Sequence, residues 1–560
     1  MKSRISFCNP TALKKNLTRF APAWVLYGVF WLLILIMVLD SEGTGVWFAN
    51  SMAESLQATA FFNMAYAFLC AQLLFGDLYN SRMCNALHAM PMRREAWFCT
   101  NVISGILFSL IPNFVIMLLS SLFMESGIVM APLWLLGMTL QFLFFFGVAV
   151  FSAYSVGNRF AMALVYIIIN GFSMIAYWLL DSLYAPQLYG IKIDETPFTW
   201  FCPIFFMISE PILNTNIHHA VVDTISLQLD TGFWYVLMCS AIGIGFMALA
   251  LLLYRKRNLE CAGDFVSVKA FAPVFLILYC LCGGAVCYMF FSLFVGEESL
   301  FFLLVGMLIG WFTGRMLLER TVRVFRLKSF IGCGILLLAL FGSLLLTALD
   351  PLGITRWVPK ANAVNGVHIV TGGSRYDYYK EGSNYLDSAE DIETVLALHR
   401  YGINHRNADY NGELDVALTI DYSLKSGVTT SRNYVIDVNT PEAQALEKIL
   451  SRPQIVLGTE VTDAKSFAET LVLMRCEGDG VIMGDRMVGL IDAIIKDCNE
   501  GNMAQDWNFH SDESAVWLTM QLKSDTDYHQ YRDIRVFDSC THTMNYLKEH
   551  DLLPNYSIYK

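Results

Sequence analysis

Nine separate stretches of this chain stay apolar for about 18 residues or more, the length at which a helix crosses the hydrocarbon core of a bilayer. They fall at roughly 21–39, 57–76, 97–123, 130–155, 160–181, 233–254, 271–294, 299–318 and 329–348. Each is apolar on nearly all sides, as expected of helices that satisfy their own backbone groups in lipid. This clustering overrides the usual reading of length as a count of soluble domains. It also accounts for a composition that is 55% hydrophobic and only 16% charged, where soluble proteins carry about 25% charged residues. The first run, Ala23 to Leu39, is too long for a signal-peptide core and no A-x-A cleavage site follows it, so it reads as a retained helix.

Lysine and arginine orient the spans. Lys2, Arg4, Lys14, Lys15 and Arg19 put the N-terminus in the cytoplasm, and the acidic stretch with Asp40, Glu42 and Glu54 goes outside. Arg82, Arg93 and Arg94 bring the next loop inside, Glu125 marks an outer turn and Arg159 an inner one. The long loop 182–232 is acidic apart from Lys192 and goes outside, and Arg255, Lys256 and Arg257 follow inside. Glu297 and Glu298 are outside, and Arg320, Arg323, Arg326 and Lys328 inside. The alternation closes for nine spans and places everything beyond Leu349 outside the cell.

That C-terminal tail is a different kind of chain. From Asp350 on it carries 19 Lys and Arg against 32 Asp and Glu, a net charge of −13, whereas the whole chain carries −11. Its length suits one or two soluble domains. Strand-like alternation appears in 364–370, 413–424 and 429–438, the last two joined by a hairpin-like KSGV. Helix-like stretches follow Ser388, with Asp391 in a capping-box-like position, and Thr440, with Pro441 at the first turn. The expectation is an α+β domain at 350–560.

Little in the chain points to covalent chemistry. There is no G-x-x-x-x-G-K-[ST], no G-x-S-x-G and no H-E-x-x-H, so neither an ATP cradle nor a hydrolase site is expected. Eleven of the 14 cysteines lie at or before Cys333, without zinc-type spacing. Cys476, Cys498 and Cys540 lie in the tail, where a bridge between two of them and free thiols are both open. The neighbouring His218 and His219, the stretch 409–415 and the span-end tryptophans read as exposed histidines, a turn and interfacial anchors. No metal site is assigned.

Acidic residues and lysine are missing from the middle of every span; what the spans hold is amide. Asn63, Gln72, Asn113, Gln141 and Asn170 are the candidates for a translocation path. Interhelical hydrogen bonding is the competing reading.

The loop DLYNSRMCNALHAMPMRREAWF at 77–98 is the other unusual feature. Tyr79, Met83, Leu87 and Met90 recur at three and four residues and would share one side of a short helix. Pro91 stops it, and Arg93, Arg94 and Glu95 precede Trp97. Together with Arg82 and His88, these are the residues expected to meet a cytoplasmic partner that pushes on the spans.

In outline the chain resembles the permease subunits of ABC-2-type transporters, which have the type V exporter fold. The amphipathic FCNPTALKKNLTRF at 7–20 is similar to that family's connecting helix, and the HAMPMRRE loop to its coupling helix. FTWFCPIFFMISEPIL at 198–213 sits where such permeases carry short re-entrant helices. YRKRNLECAGDFVSVKAF at 254–271 resembles a segment of permeases from low-GC Gram-positive bacteria, some of which carry an extracytoplasmic C-terminal domain.

The resemblance implies a cytoplasmic connecting helix at 1–20, a six-span core at 21–260, three additional spans at 261–349 and the extracytoplasmic domain at 350–560. It also implies ATP and Mg on a separate nucleotide-binding subunit, a second permease, identical or paralogous, and export through the plasma membrane without covalent chemistry or nucleic acid. A sensor is the alternative, with an outer domain that detects a ligand and signals to a cytoplasmic partner.

Overall fold

The computed structural model describes residues 8–40, 45–89, 92–123, 127–191, 193, 196–218, 224–256, 265, 271–295, 300–371, 385–405, 415–458, 463–476, 481–504, 516–523 and 530–553. The chain divides into two compact units, one of residues 1–180 and 194–342, the other of 181–193 and 343–560.

The first unit is helical. It opens with α1 (Pro10–Arg19) and α2 (Ala21–Asp40), followed by α3 (Gly45–Ala58), α4 (Ala60–Phe75), a 3-10 turn (Gly76–Tyr79) and α5 (Ser81–His88). Then come α6 (Arg94–Phe123), α7 (Gly127–Ser155), α8 (Arg159–Tyr184), the short α9 (Thr196–Trp200) and α10 (Pro203–Ser209), and a hairpin of β1 (Leu213–His218) and β2 (Thr224–Leu229). The long helices α11 (Thr231–Lys256), α12 (Ala272–Val295), α13 (Leu300–Glu319) and α14 (Leu327–Leu349) complete the set. Among the described residues nine helical segments are long and apolar enough to cross a membrane: α2, α4 continued by the 3-10 turn to Tyr79, α6, α7, α8, α11, α12, α13 and α14. This is a multi-pass membrane protein.

Helix α7 is the most enclosed of the nine and α14 the least. Around α7 the backbones come into direct contact with α11. A Cβ placed on Gly147 would lie 2.1 Å from the carbonyl oxygen of Gly243, so only glycine permits this approach. Small residues at such crossings replace the missing hydrophobic drive between helices in lipid.

Helix α3 is absent from the span pattern in the sequence. Its buried residues Phe48, Ala49, Met52, Ala53 and Leu56 are spaced along one side and interrupted by Ser51, Glu54 and Ser55, so no continuous apolar run marks it. The expected short helices in 198–213 correspond to α9 and α10, which meet at Cys202.

The second unit is α+β. Its elements after α14 are β3 (Val364–Thr371), β4 (Tyr385–Leu386), α15 (Ala389–Asn404), β5 (Asp415–Leu424), β6 (Thr429–Asp437) and α16 (Pro441–Leu450). The short α17 (Pro453–Val456) and α18 (Ala464–Glu469) lead to β7 (Leu471–Cys476), β8 (Val481–Ile482), α19 (Asp485–Glu500), β9 (Val516–Leu522), β10 (Gln530–Val536) and α20 (Thr541–Glu549). One antiparallel sheet runs β4-β3-β5-β6 and the other β8-β7-β9-β10.

Both sheets follow the same path: hairpin, helix, hairpin, helix. The register repeats as well. Val416 faces Ile436 across β5 and β6 as Val516 faces Val536 across β9 and β10, and Ile420 faces Arg432 as Met520 faces Arg532. Each half has its own core. The two halves of the tail repeat one structural plan.

Local signals explain the element ends. The Ser388 hydroxyl caps α15 by accepting from the Asp391 amide at 3.1 Å, and Thr440 caps α16 by accepting from the Ala443 amide at 3.3 Å. The Asp391 carboxylate does not complete a capping box; it accepts a bidentate pair from Arg452 at 2.8 and 2.9 Å. The β5–β6 turn places Gly427 at φ +81°, a conformation open to glycine.

The second unit also reaches back before the expected start at 350. Residues 188–191 lie as a strap along the free edge of β6. Ile191 pairs with Arg432 in an antiparallel bridge, and the Asn433 amide donates to the Gly190 carbonyl at 3.0 Å. The hydroxyls of Tyr184 and Ser343 meet at 2.6 Å, joining the ends of α8 and α14. The loop read as a single element at 182–232 is therefore shared between the two units.

Candidate functional site

The connection between α4 and α6 is built into the ends of several spans. Asn80 is extended and caps α5, its side chain accepting from the Arg82 amide at 3.0 Å. The extended backbone at Asn80 separates Tyr79 from the helix. Tyr79 sits in the 3-10 turn and donates its hydroxyl to the Ala153 carbonyl of α7 at 3.3 Å, while Met83 is exposed on α5. Tyr79 and Met83 therefore do not lie on one continuous helix, because the extended Asn80 resets the helical phase between them. Met90 and Pro91 lie outside the described residues, as do the side chains of Leu87 and His88. On α5 the exposed residues are Ser81, Arg82, Met83, Asn85 and Ala86, with Cys84 turned inward.

The remaining predicted contacts lie at the root of α6. Arg93 is exposed. Arg94 donates to the Tyr254 carbonyl of α11 at 3.4 Å and lies 5.8 Å from the centre of its ring. Glu95 pairs with Arg255 at 3.2 Å.

Helix α1 joins the same platform, which its sequence signalled by being amphipathic and basic. Asn9 caps it by accepting from the Thr11 and Ala12 amides. The Asn9 amide donates to Thr100 at 3.1 Å, and the buried Asn16 side chain donates to Asn101 at 2.9 Å and Ser104 at 3.0 Å. Arg19 lies 3.8 Å from Asp77 in the 3-10 turn. Half-exposed ion pairs of this kind hold little, about 0–1 kcal/mol each; the buried amide contacts position α1. Thr100, Asn101 and Ser104 had no signal in the sequence beyond being polar residues within an apolar helix pattern, and Asn16 none beyond being one polar residue of an amphipathic helix.

The amides proposed for a path fall into separate places. Asn63 and Gln141 form one buried cluster: Asn63 donates to Gln141 at 2.8 Å, Gln141 to the Leu56 carbonyl at 2.8 Å, and Tyr27 to Asn63 at 3.3 Å. Tyr27 stacks on Tyr66 with ring centres 3.9 Å apart. Asn113 is fully buried and donates to Ser109 at 3.2 Å, leaving its carbonyl oxygen without a partner. Gln72 donates to the Arg159 carbonyl at 3.1 Å, and Asn170 to the Tyr166 carbonyl of its own helix at 2.9 Å.

In the tail, Asp497, Glu500 and His542 come together with ligand atoms within 4.8 Å of one another. No sequence spacing marks this group. Its hydrogen bonds identify a clamp. The Asp497 carboxylate accepts from the His542 amide at 3.0 Å and from the Thr543 amide and hydroxyl at 2.7 and 2.6 Å, and Glu500 meets His542 at 2.8 Å. Asp497 therefore satisfies the orphan donors at the start of α20.

The three tail cysteines are buried and not bridged to one another. Burial pushes the Cys498 thiol well above its ordinary value and Cys540 up to about 11.

Comparison with protein-family models, curated proteins and solved structures finds no match to this chain.

Proposed function

We propose that this chain is the membrane-spanning permease subunit of an ABC-2-type exporter and that a separate ATPase subunit drives it. The observation that carries this reading is the braced platform formed by α1, the 3-10 turn, α5 and the root of α6. Its contacts reach α4, α6, α7 and α11. A force on α5 and Arg93 would be delivered to several spans together and not absorbed by a loop.

In this reading the platform faces the cytoplasm and carries exposed Arg82 and Arg93 for the ATPase. ATP and Mg bind to that subunit. A second permease, identical or paralogous, completes the path through the bilayer, and the acidic tail lies outside the cell. Transport requires that substrate bind the two states of the spans with different affinity, ATP supplying the bias.

Purification of the chain from its native membrane tests the reading. Stoichiometric recovery of a P-loop ATPase supports it, with ATP hydrolysis by the complex lost when 83–90 is replaced by Gly-Ser. Recovery of a signalling kinase and no ATPase would favour the sensor. That second reading draws on the strap, which follows α8 directly and pairs with the sheet of the tail.

A further inference from the structure

The first half of the tail carries a polar group inside its core. Thr430, Arg432 and Tyr434 alternate along β6 and share its core-facing side, with Tyr422 opposite Thr430 on β5. His399 of α15 lies over them, its ring centre 5.6 Å from that of Tyr422 and 5.2 Å from that of Tyr434. His399 and Tyr422 are completely buried, Tyr434 is 2% exposed and Arg432 5%. The His399 Nδ1 meets the Tyr422 hydroxyl at 2.9 Å.

The rest of the group is unsatisfied. His399 Nε2, Arg432 Nε, the Tyr434 hydroxyl and the Thr430 hydroxyl are buried without hydrogen-bond partners. Arg432 gives one bond, to the Ile354 carbonyl at 3.1 Å, and lies 5.7 Å from the centre of the Trp357 ring. Among the described residues no carboxylate lies within ion-pair distance of it. The Asp350 carboxylate is committed to the Ile354 amide and to the Thr355 amide and hydroxyl. The Asp350 charge acts on Arg432 from beyond ion-pair distance; a buried cation without an ion-pair partner and several idle donors are each costly, and native structures keep few of them.

The repeat supplies an internal control. At the matching strand positions the second half has Leu522 for Tyr422 and Ile534 for Tyr434. The buried pairs Val395–Leu396 and Leu398–His399 of α15 are matched in α19 by Leu490–Ile491 and Ala493–Ile494, placing Ile494 where His399 stands. Arg532 keeps the role of tying down the preceding segment, donating to the Ile455 carbonyl at 2.6 Å. At the positions of Tyr422, Tyr434 and His399 the scaffold therefore closes with apolar residues, while Thr430 is matched by the polar Gln530 and Arg432 by Arg532; the two tyrosines and the histidine of the first half are not a requirement of the fold.

We propose that this group is a binding site for a compact oxyanion, a carboxylate or a phosphate, held by Arg432, Tyr434, Thr430 and His399 and roofed by the strap. An oxyanion supplies the missing negative charge and accepts from the idle donors at once. Space limits its size. A Cβ on Gly190 of the strap would lie 2.5 Å from the Tyr434 ring, and one on Gly402 of α15 2.9 Å from it, so the ring is gripped from two sides. Tyr189 of the strap stacks edge-on against Tyr434 at 5.7 Å. Entry from that side requires the strap to lift.

The test uses the full chain in lipid nanodiscs, with acetate and inorganic phosphate as probes and chloride at matched ionic strength as control. Hydrogen exchange of β5 and β6 amides is the readout. The expected result is saturable protection by acetate, phosphate or both, which also tells a carboxylate from a phosphate ligand. Tyr434→Phe and Thr430→Val remove one hydroxyl each with little change of volume, and each should weaken the protecting anion by about tenfold or more, the usual worth of a hydrogen bond to a charged group. Arg432→Met should abolish it; if that variant fails to fold, the two hydroxyl variants decide. Protection no greater than with chloride, or hydroxyl variants that titrate like the parent, would each overturn the proposal.

Discussion

Acidification should loosen the first half of the tail through a single side chain. Burial holds the pKa of His399 down to about 4, with the neighbouring Arg432 and Arg400 charges acting in the same direction. In the unfolded chain the ring titrates near its ordinary value of about 6.5. The unfolded state therefore binds the proton first as pH falls. The contribution of His399 to stability is complete above about pH 6.5, shrinks between 6.5 and 4, and is level below 4. A difference of about 2.5 units corresponds to about 3 kcal/mol, or more than a hundredfold in the opening equilibrium. Other groups in the acidic tail titrate in the same range, so the comparison must be with a variant. His399→Gln retains a hydrogen-bonding partner for the Tyr422 hydroxyl and has no proton to gain. Hydrogen exchange of β5 and β6 amides, corrected for intrinsic pH dependence, should show the opening free energy of the parent falling by about 3 kcal/mol more than that of His399→Gln from pH 7 to pH 4. Parallel curves for the two proteins would refute the reasoning.

Three further outcomes follow from other parts of the molecule. Asp391→Ala leaves Arg452 without its bidentate acceptor and should cost roughly 2–3 kcal/mol, seen as faster exchange of α15 and α16 amides. Gly147→Val puts side-chain atoms where the Gly243 carbonyl lies; α7 and α11 must separate, at a cost of at least about 1–3 kcal/mol, read as a lower temperature of aggregation in detergent. Buried, high-pKa Cys498 and Cys540 should resist maleimide at neutral pH in the folded tail and react after denaturation.

The membrane spans were legible because lipid imposes a simple rule, continuous apolarity over a fixed length, and α2, α6, α7 and α14 begin and end within a few residues of the runs that announce them. Helix α3 escaped because it is amphipathic, and the hydropathy rule does not see a helix that keeps polar residues on one side. The tail's first half was readable from alternation and caps: β3, β5, β6, α15 and α16 all carry local signals. Its partner elements β7 to β10 are shorter or less regular, so the repeat appears only when the pairing registers are known. The strap on β6 could not be read at all, since an isolated bridge has no periodicity. At the α4–α6 connection the sequence located the short helix but carried it back to Tyr79. One extended residue, Asn80, is enough to uncouple Tyr79 from Met83, and periodicity counts residues without knowing where the phase resets.

The two halves of the tail keep what the scaffold needs and differ where it does not care. Val416 and Val516, Leu418 and Leu518, and Ile436 and Val536 fill corresponding core positions, and Arg432 and Arg532 each hold a carbonyl of the segment leading into their own sheet. Arg432 is buried and Arg532 half-buried, and desolvation lowers the pKa of each, that of Arg532 to about 10. A guanidinium in this position is thus common to the repeated plan, and its cost is one both halves carry. The halves part company around it. Leu522, Ile534 and Ile494 place apolar atoms beside the second arginine's sheet, whereas Tyr422, Tyr434 and His399 place polar groups beside the first, of which the Tyr434 hydroxyl and His399 Nε2 lack partners. A drift of sequence without function would tend to remove such donors, because an apolar replacement of similar shape is neutral or stabilising when the polar partners are missing. Their presence in the half that also receives the strap is what makes that half the place to look for a ligand, and the second half the natural reference against which to measure it.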